Sequence, residues 1–386
     1  MLRFLTAGES HGKAEVAILE GIPAGLAITK EEIQEDLAKR AHDFGRGGRG
    51  KIETDEVKIL SGVRHGKTLG SPIALLVENR DFANWEKTMN TQLSDATSKK
   101  VTTPRPGHAD LPGILKYGFD DVRNVLERAS ARETVMRVAI GAVCKKLLSQ
   151  FAIAIASHTL RIGKVALGNT THAFDDIANV YHVDPDIHCI DATTREQMRE
   201  EITNARLSKN TLGGIVEVVA RGVPVGLGSY VQYDRRLDGR VAQALMSIPS
   251  VKAVEIGNGI DATGKTGKEI QDAIDVKNGR LARRTNNMGG IEGGISNGEN
   301  IVVRIFHKPL STIYDPLPTV DITTKRPAVA TIERSDVCVV ARAGVVSEAM
   351  LAFVLTQALL EKFGADSLEE VKRNHNSYLE SLPLKI

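Results

Sequence analysis

The chain has 386 residues, with 50 Lys and Arg against 48 Asp and Glu, 42% apolar residues and 35 glycines. This ordinary composition excludes wholesale disorder, and a net charge of +2 excludes a protein that coats polyanions. Cys144, Cys189 and Cys338 lie far apart and form no CxxC pair. The sequence therefore predicts neither a disulfide framework nor a metal site such as a zinc ribbon.

No segment of the sequence predicts a membrane span. The longest apolar stretch, residues 135–156, contains Arg137, Lys145 and Lys146, so it predicts a helix followed by a strand. The N-terminus carries Arg3 and then a polar glycine segment, which leaves no room for a signal peptide. We expect a cytoplasmic protein without a membrane partner.

Similar segments recur in the same order in the two halves of the chain. A strand-like run that ends in a G-[IV]-P-x-G-L turn occupies residues 15–26 and again residues 216–227. The other recurring segments are a glycine turn before a strand, at 61–66 and 293–298, and an E-R motif before a long apolar stretch, at 126–130 and 332–336. Chance recurrence of glycine turns is the alternative to a true internal repeat.

The order and number of these segments favour an internal duplication. We expect a single domain of residues 1–386 with pseudo-repeats at roughly 1–150 and 205–365. Strands dominate the start of each repeat and long helices its end. This arrangement predicts an α+β fold with antiparallel β-sheets packed on a central helical layer, a β-α-β sandwich. Strict alternation of strands and helices is absent, which disfavours a doubly wound parallel sheet.

Three short motifs match known patterns without the context that those patterns need. Residues 8–12 fit the G-x-S-x-G nucleophile elbow, yet only seven residues precede Gly8, so Ser10 is a poor nucleophile candidate. Residues 259–266 fit the P-loop pattern, but residues 257–262 also fit an incompatible dinucleotide fingerprint. Residues 46–51 resemble a single copy of an RGG element, which predicts a basic loop for a small anion rather than nucleic acid binding.

Charged and imidazole groups concentrate beside glycine turns in four segments. Guanidinium groups offer bidentate donors to phosphate and carboxylate, and glycines let backbone N–H groups approach an anion. His11 and His108 add groups that exchange protons near neutral pH. The pattern predicts an enzyme that handles a small, multiply anionic substrate by acid–base chemistry. The alternatives are a P-loop phosphotransferase that uses Lys265 and Thr266, and an RNA-binding protein that uses the RGG-like loop.

Several motifs, in order and over nearly the whole chain, resemble the signatures of the chorismate synthase family. They are G-E-S-H-G at 8–12, R-P-G-H-A-D at 105–110, E-R-A-S-A-R-E-T at 127–134, and R-S-D at 334–336 leading to S-E-A at 347–349. The resemblance implies a carbon–oxygen lyase of the shikimate pathway, which serves aromatic amino-acid biosynthesis. Its reaction converts 5-enolpyruvylshikimate 3-phosphate to chorismate and phosphate by 1,4-anti elimination.

The resemblance also implies a cofactor and partners. The family is a flavoprotein family that needs reduced FMN (FMNH2) without net redox change, with NADPH of the NADP couple as a source of reductant, and it forms a homotetramer. The sequence contains nothing that resembles an additional reductase domain. The sequence leaves open whether the chain reduces its own flavin with NADPH, and we favour an external flavin reductase as partner.

The resemblance assigns roles to residues of this chain. His11 corresponds to the histidine that protonates or stabilises the reduced flavin, His108 to the acid that assists the departing phosphate, and Asp336 to the carboxylate that works with flavin N5 to remove the ring proton. The implied substrate-binding residues are Ser10, Arg40, Arg46, Arg49, Arg105, Ser130 and Arg132. The implied flavin-binding residues are Arg128, Ala129, Ser130, Ser250, Gly293, Lys308, Pro309, Leu310, Ser311, Thr312 and Arg334.

The chain departs from the family pattern at two places. Ala129 stands where a second serine is common, which costs one hydrogen bond to the ligand. Pro249 and Ser250 replace a more usual Asn-Ala pair, so only Ser250 is assigned in that loop.

Overall fold

The computed structural model describes residues 1–46, 55–92, 100–168, 171–277 and 279–384. The strands are β1 (Arg3–Ala7), β2 (Ala14–Glu20), β3 (Val57–Ile59), β4 (Val63–Arg64), β5 (Lys67–Thr68), β6 (Ile73–Glu78), β7 (Ala154–Ile162), β8 (Val165–Ala166), β9 (Gly214–Arg221), β10 (Val251–Ile256), β11 (Ile274–Lys277), β12 (Arg280–Arg283), β13 (Ile291–Glu292), β14 (Ile295–Ser296), β15 (Ile301–His307), β16 (Pro318–Val320) and β17 (Pro327–Val329). The helices are α1 (Lys30–Ala41), α2 (Asp110–Tyr117), α3 (Arg123–Leu126), α4 (Thr134–Ser149), α5 (Phe174–Val183), α6 (Ala192–Leu207), α7 (Leu237–Met246), α8 (Gly259–Ala262), α9 (Gly267–Ile270), α10 (Val340–Phe363) and α11 (Leu368–Ser381). Short 3-10 turns occupy Arg80–Asn84, Ala131–Glu133 and Tyr233–Arg235.

Two antiparallel sheets form the body of the molecule. The first has the strand order β1-β2-β6-β3 and the second the order β10-β15-β9-β7-β8. Alternate residues are buried in β6, as in Ile73, Leu75 and Val77, because successive side chains of a strand point to opposite faces. In β7 and β9 consecutive residues are buried, and α5 covers part of the other face of the second sheet. Each sheet therefore has an apolar face that needs a partner.

Helices α4 and α10 supply that partner. Helix α4 packs on β2 and β6 of the first sheet, whereas α10 packs on β7 and β9 of the second. The two helices also pack on each other at Gly141, where a side chain would lie 2.2 Å from the Cβ of Ala349. The close approach therefore requires glycine at this position. The predicted α+β class with antiparallel sheets is confirmed.

The longest helix is a core helix. Among the described residues, α10 is the one helix long and apolar enough to cross a membrane, and 89% of its most apolar window is buried inside the protein. The sequence places its apolar run at 345–363, but the helix begins five residues earlier, at Val340. The apolar stretch 135–156 is a helix followed by a strand, as its polar interruptions predict.

Candidate active site

The turns that connect these elements meet around one cavity of about 460 Å³. The turn between β1 and β2, the end of α1, the segment before α2, the segment before α4, the segment after β15 and the segment before α10 all contribute to its wall. The predicted site residues that line it are Ser10, His11, Arg40, Arg46, Arg105, His108, Ala129, Ser130, Arg132, Ser250, Lys308, Leu310, Ser311, Thr312, Arg334 and Asp336. Segments up to 326 residues apart in sequence thus meet at one place.

Three of the predicted residues that the structure describes are not part of that lining. The Arg128 guanidinium donates instead to the carbonyl oxygens of Thr6 and Gly8, at 3.0 and 3.3 Å. Gly293 lies in the turn between β13 and β14, where its carbonyl accepts a hydrogen bond from Arg236 at 3.2 Å. Pro309 is not on the wall, although both of its neighbours are. Arg49 lies outside the described residues.

A buried carboxylate orients His11. The Nδ1 atom of its imidazole lies 3.0 Å from both oxygens of Glu127, and its backbone N–H donates to Glu127 at 2.9 Å. Burial alone would raise the pKa of Glu127, but the contacts with His11 and Arg123 hold it below its usual range. An ionised carboxylate accepts only, so Nδ1 carries the proton and Nε2 is left to the cavity.

A second buried carboxylate orients His108. Asp110 is fully buried, contacts His108 Nδ1 and accepts from Arg105 Nε at 2.8 Å. Although burial would raise the pKa of Asp110, the hydrogen bonds from His108 and Arg105 hold it well below its usual range. Arg105 also donates to Thr312 at 2.9 Å. One carboxylate therefore fixes both an acid–base group and a cation of the cavity.

A third carboxylate, Asp55, holds two arginines of the wall. Arg40 Nη1 donates to Asp55 at 3.1 Å and Arg132 Nη1 to its other oxygen. Arg40 also donates to Thr134, and Arg132 to Asn79, at 3.0 and 2.9 Å. Burial lowers the pKa of Arg40 to about 10, with Asp55 opposing that shift, so this guanidinium stays charged at neutral pH.

The other side of the cavity is partly apolar. Lys308 Nζ donates to Ser311 Oγ at 2.9 Å, and Ser311 donates to the carbonyl of Gly107 at 2.8 Å. Ser250 adopts a left-handed backbone conformation with φ +73°, and its Oγ lies 3.0 Å from His307 Nδ1. The apolar lining includes Leu126, Ile248, Val251, Val339 and Val346. The cavity therefore combines charged and apolar lining residues.

The lining carries an excess of positive charge, which remains when the buried carboxylates Asp43, Asp55 and Asp110, the partners of four lining arginines, are included. Among the described lining residues, two carboxylates, Glu333 and Asp336, face eight cations: Arg40, Arg46, Arg105, Arg132, Lys252, Lys308, Arg334 and Arg342. Low-dielectric walls of one sign concentrate anions of the other sign. In the described parts of the chain, no group of His, Cys, Asp or Glu side chains is arranged to hold a metal ion. The geometry suits a multiply anionic ligand beside two proton-transfer groups.

Sequence reasoning missed the residues that hold the site together. Glu127 and Asp110 stand in the quoted motifs without an assigned role, and the H-x-D spacing of His108 and Asp110 is a local signal for such a pair. Arg342, Asp55 and Trp85 were not singled out. Trp85 stacks on the imidazole of His11 with ring centroids 3.9 Å apart.

The P-loop-like segment has other partners. Lys265 forms an ion pair with Asp261, and Thr266 caps α9 by accepting from the backbone and contacting Glu269. Neither residue lines the cavity. These contacts disfavour the phosphotransferase alternative. The RGG-like segment lies outside the described residues from Gly47 onward.

The α+β fold and this cavity define an enzyme site for a multiply anionic ligand. A family model described as "Chorismate synthase" matches residues 2–360. The chain is 52% identical over 379 residues to a chorismate synthase of Alkaliphilus metalliredigens, and the match covers 98% of this chain and 99% of the relative. It is 50% identical over 388 residues to chorismate synthase 1 of Bacillus cereus, again over 98% of this chain and 99% of the relative. A solved structure described as "Crystal Structure of Chorismate Synthase" superposes with a TM-score of 0.78 at 42% identity, covering 98% of this chain and 97% of that chain. The chain is an enzyme that belongs to the chorismate synthase family, as the motifs predict.

Proposed function

We propose that the chain converts 5-enolpyruvylshikimate 3-phosphate to chorismate and phosphate by 1,4-anti elimination, with reduced FMN as cofactor. The observation that carries the proposal is the cavity in which eight cations and two oriented imidazoles meet. The substrate bears one phosphate and two carboxylates, so it needs several guanidinium groups at a single small site. Membership of the family supports the same reaction.

The wall fits a flavin beside this substrate. A flavin mononucleotide presents a flat apolar ring system and one phosphate, which match the apolar residues at Ile248, Val251 and Val346 and the cations at Lys308 and Arg334. When bound, the reduced flavin supplies transient electron density to the allylic system without being consumed. The assigned contacts that line the cavity from the described chain are Ala129, Ser130, Ser250, Lys308, Leu310, Ser311, Thr312 and Arg334.

The chain's own residues supply the charge compensation and the proton transfers. Arg40, Arg105 and Arg132 are held by buried carboxylates, so they face the substrate anions without having to reorganise. His108 donates a proton to the phosphate oxygen as the carbon–oxygen bond breaks. Asp336 accepts the proton from the ring carbon on the opposite face. His11 in its doubly protonated form, with Nδ1–H on Glu127, directs an Nε2–H at the flavin side of the cavity, where that N–H would stabilise negative charge or give up its proton.

An anaerobic assay of phosphate release tests this proposal. The wild-type chain is expected to release phosphate from the substrate when reduced FMN is present and to release none when it is omitted. Lys265→Ala is the control variant, since Lys265 pairs with Asp261 outside the cavity, and it should keep wild-type turnover. A phosphotransferase would lose its activity in this variant and would need a nucleotide rather than reduced FMN.

We also propose that the two sheets and their helices form a β-α-β sandwich built from an internal duplication. The support is a matched pair of hydroxyl groups. Thr68 Oγ1 accepts from Leu26 N–H at 2.9 Å and donates to the carbonyl of Pro23 at 2.6 Å. In the second G-[IV]-P-x-G-L turn, Ser296 Oγ accepts from Leu227 N–H at 2.8 Å and donates to the carbonyl of Pro224 at 2.6 Å. The order β1-β2-β6-β3 likewise corresponds to β7-β9-β15-β10.

The proposal extends to partners and to the cellular setting. We place the chain in the cytoplasm, in the shikimate pathway, as a homotetramer that receives reduced flavin from an external reductase, with NADPH as the source of electrons. Self-association is supported by the outer face of the first sheet, where Leu5 is 73% exposed and Ile18, its cross-strand neighbour, is 47% exposed. Sedimentation of the purified chain tests the tetramer.

A further inference from the structure

Arg342 lies on the wall of the cavity, in the first turn of α10. Its Nη2 donates to Asp336 Oδ2, and its Nε lies 3.5 Å from Asp43 Oδ2. One guanidinium thus holds two carboxylates from distant parts of the chain. Asp43 belongs to the turn after α1, and Asp336 precedes α10.

Asp43 is buried and is held by the backbone of its own turn. Its side chain is 1% exposed, and the N–H of Gly45 donates to its Oδ1 at 2.8 Å. The N–H of Val337 donates in turn to the carbonyl of Gly45 at 2.9 Å, which joins the turn to the segment that carries Asp336. Burial raises the pKa of Asp43 to about 6, while Arg342 opposes that shift. Removal of Arg342 would leave this buried carboxylate without its cation, which is costly.

We propose that Arg342 is the positioning residue of Asp336, and that Asp43 holds Arg342 in place while Asp336 takes up a proton. The inference rests on the proposed function, in which Asp336 accepts the ring proton. In that step the carbon–hydrogen bond breaks and the proton moves to a carboxylate oxygen. The electron pair of that bond forms a new ring double bond, the existing double bond shifts toward the carbon that bears the phosphate, and the carbon–oxygen bond to phosphate breaks with both of its electrons on the leaving oxygen. Once Asp336 is neutral, Arg342 keeps Asp43 as its counter-ion, so no unpaired charge is left in the wall.

The charged groups around Asp336 come from two elements. In the part of the chain that the structure describes, Arg342 faces it from α10, and Arg46 and Asp43 face it from the turn after α1. Arg46 is also held at the end of α1, where its Nη1 donates to the carbonyl of Ala41 at 2.5 Å. The neighbouring thiol of Cys338 adds no charge, because burial raises its pKa.

Variants separate this role from a purely structural one. Arg342→Gln removes the cation. Arg342→Lys keeps the positive charge but loses the planar guanidinium that contacts two carboxylates. Asp43→Asn removes the charge of the second carboxylate. Arg206→Gln is the matched control. Arg206 holds the same turn by donating to the carbonyl of Phe44 at 2.8 Å, so its contact is with a carbonyl and not with a carboxylate.

The first readout is the pH profile of phosphate release with reduced FMN under anaerobic conditions. Arg342→Gln should lower kcat about 10- to 10²-fold, with a smaller change in KM, because a charge-assisted hydrogen bond is worth roughly 1.5–3 kcal/mol. The acid limb of its pH profile should move upward, since an opposite charge beside a carboxylate is lost. Arg342→Lys should recover part of both effects. Asp43→Asn should move the acid limb of the pH profile downward, because Arg342 then pairs with Asp336 alone.

The second readout uses the flavin-free protein. The melting temperature of Arg342→Gln should fall furthest below that of wild type at pH 8 and approach it at pH 5, because protonation of Asp43 removes the unpaired buried charge. A deficit equal at both pH values would overturn the inference. So would a raised KM with unchanged kcat and pH profile, or an Arg206→Gln variant that behaves like Arg342→Gln. If the wild-type chain releases no phosphate at all, the proposed function fails, and the melting curves still test the ion-pair arrangement.

Discussion

Glu127 holds both the backbone and the ring of His11. The backbone N–H of His11 donates to the Glu127 carboxylate at 2.9 Å, and the imidazole Nδ1 lies 3.0 Å from each oxygen of that carboxylate. The same carboxylate accepts from Arg123 at 2.8 Å, and the guanidinium of Arg123 lies 5.0 Å from the Trp85 ring. The imidazole is therefore fixed in one orientation, between a carboxylate and an indole. This arrangement makes Glu127 a residue that acts through His11.

Glu127→Gln should lower turnover about 10- to 10²-fold, because the charge-assisted hydrogen bond to the imidazole is worth roughly 1.5–3 kcal/mol. Anaerobic phosphate release measures the effect. The control is Glu217→Gln, since Glu217 forms a similar pair with buried His158 at 3.1 Å outside the cavity. Turnover unchanged in Glu127→Gln, or lowered equally in both variants, would contradict the role.

His108→Ala should lower turnover about 10²- to 10⁴-fold and leave the affinity for oxidised FMN within a few-fold of wild type, because acid assistance acts on the leaving phosphate. Turnover and a fluorescence titration with oxidised FMN give the two quantities separately. His65→Ala serves as a control, because His65 is exposed in the turn between β4 and β5. If the variant bound FMN poorly and turned over normally when saturated, His108 would be a flavin ligand.

Arg132→Ala should weaken substrate binding and also destabilise the fold. The sequence predicts the first effect alone, whereas the structure places Arg132 in a buried network with Asp55 and Asn79. Breaking one side of a buried ion pair costs about 3 kcal/mol. Denaturant unfolding measures that loss, and KM measures the substrate contact. An unfolding midpoint equal to that of wild type would contradict the predicted loss of stability and would show that Arg40 alone compensates the charge of Asp55.

Glu15→Gln should stabilise the protein at pH 8 and have little effect at pH 5. Burial raises the pKa of Glu15 from 4.5 to about 7, although Arg132 and Arg128 oppose the shift. A carboxyl group with a raised pKa destabilises the fold above pH 7, and stability returns as the pH falls through 7 toward 4.5. Glutamine cannot ionise, so this dependence disappears.

Melting temperatures between pH 5 and pH 8.5 test the Glu15 prediction. The control is Glu20→Gln, on the same strand, because Glu20 is partly exposed and pairs with Arg3 at 2.5 Å. A melting temperature that changes with pH in the same way in wild type and Glu15→Gln would contradict the prediction.

The sequence identified the residues whose surroundings are local. The segment from Arg105 to Asp110 holds an arginine, a histidine and their common carboxylate within six residues, so the spacing indicates the chemistry, whereas the carboxylate partner of His11 lies 116 positions away. The polar residues within the apolar stretch 135–156 likewise predicted a helix followed by a strand.

The carboxylates that hold the arginines of the site could not be predicted from the sequence, because their partners are remote in the chain. Asp55 lies 77 positions from Arg132, and Asp43 lies 299 positions from Arg342. A single carboxylate in a turn has no local pattern that distinguishes it from a solvated one. The apolar run at 345–363 does not indicate the first turn of α10, because residues 340–344 include Arg342 and Gly344, which contact the remote residues Asp43 and Ser157.

The central claim is that reduced FMN enables an elimination in this cavity without being consumed. Its most direct test measures, in one anaerobic sample, the phosphate released and the absorbance of the flavin. The account predicts many equivalents of phosphate per flavin while the flavin remains reduced. Phosphate release that stops after one equivalent with oxidation of the flavin, or that proceeds equally well without any flavin, would contradict it.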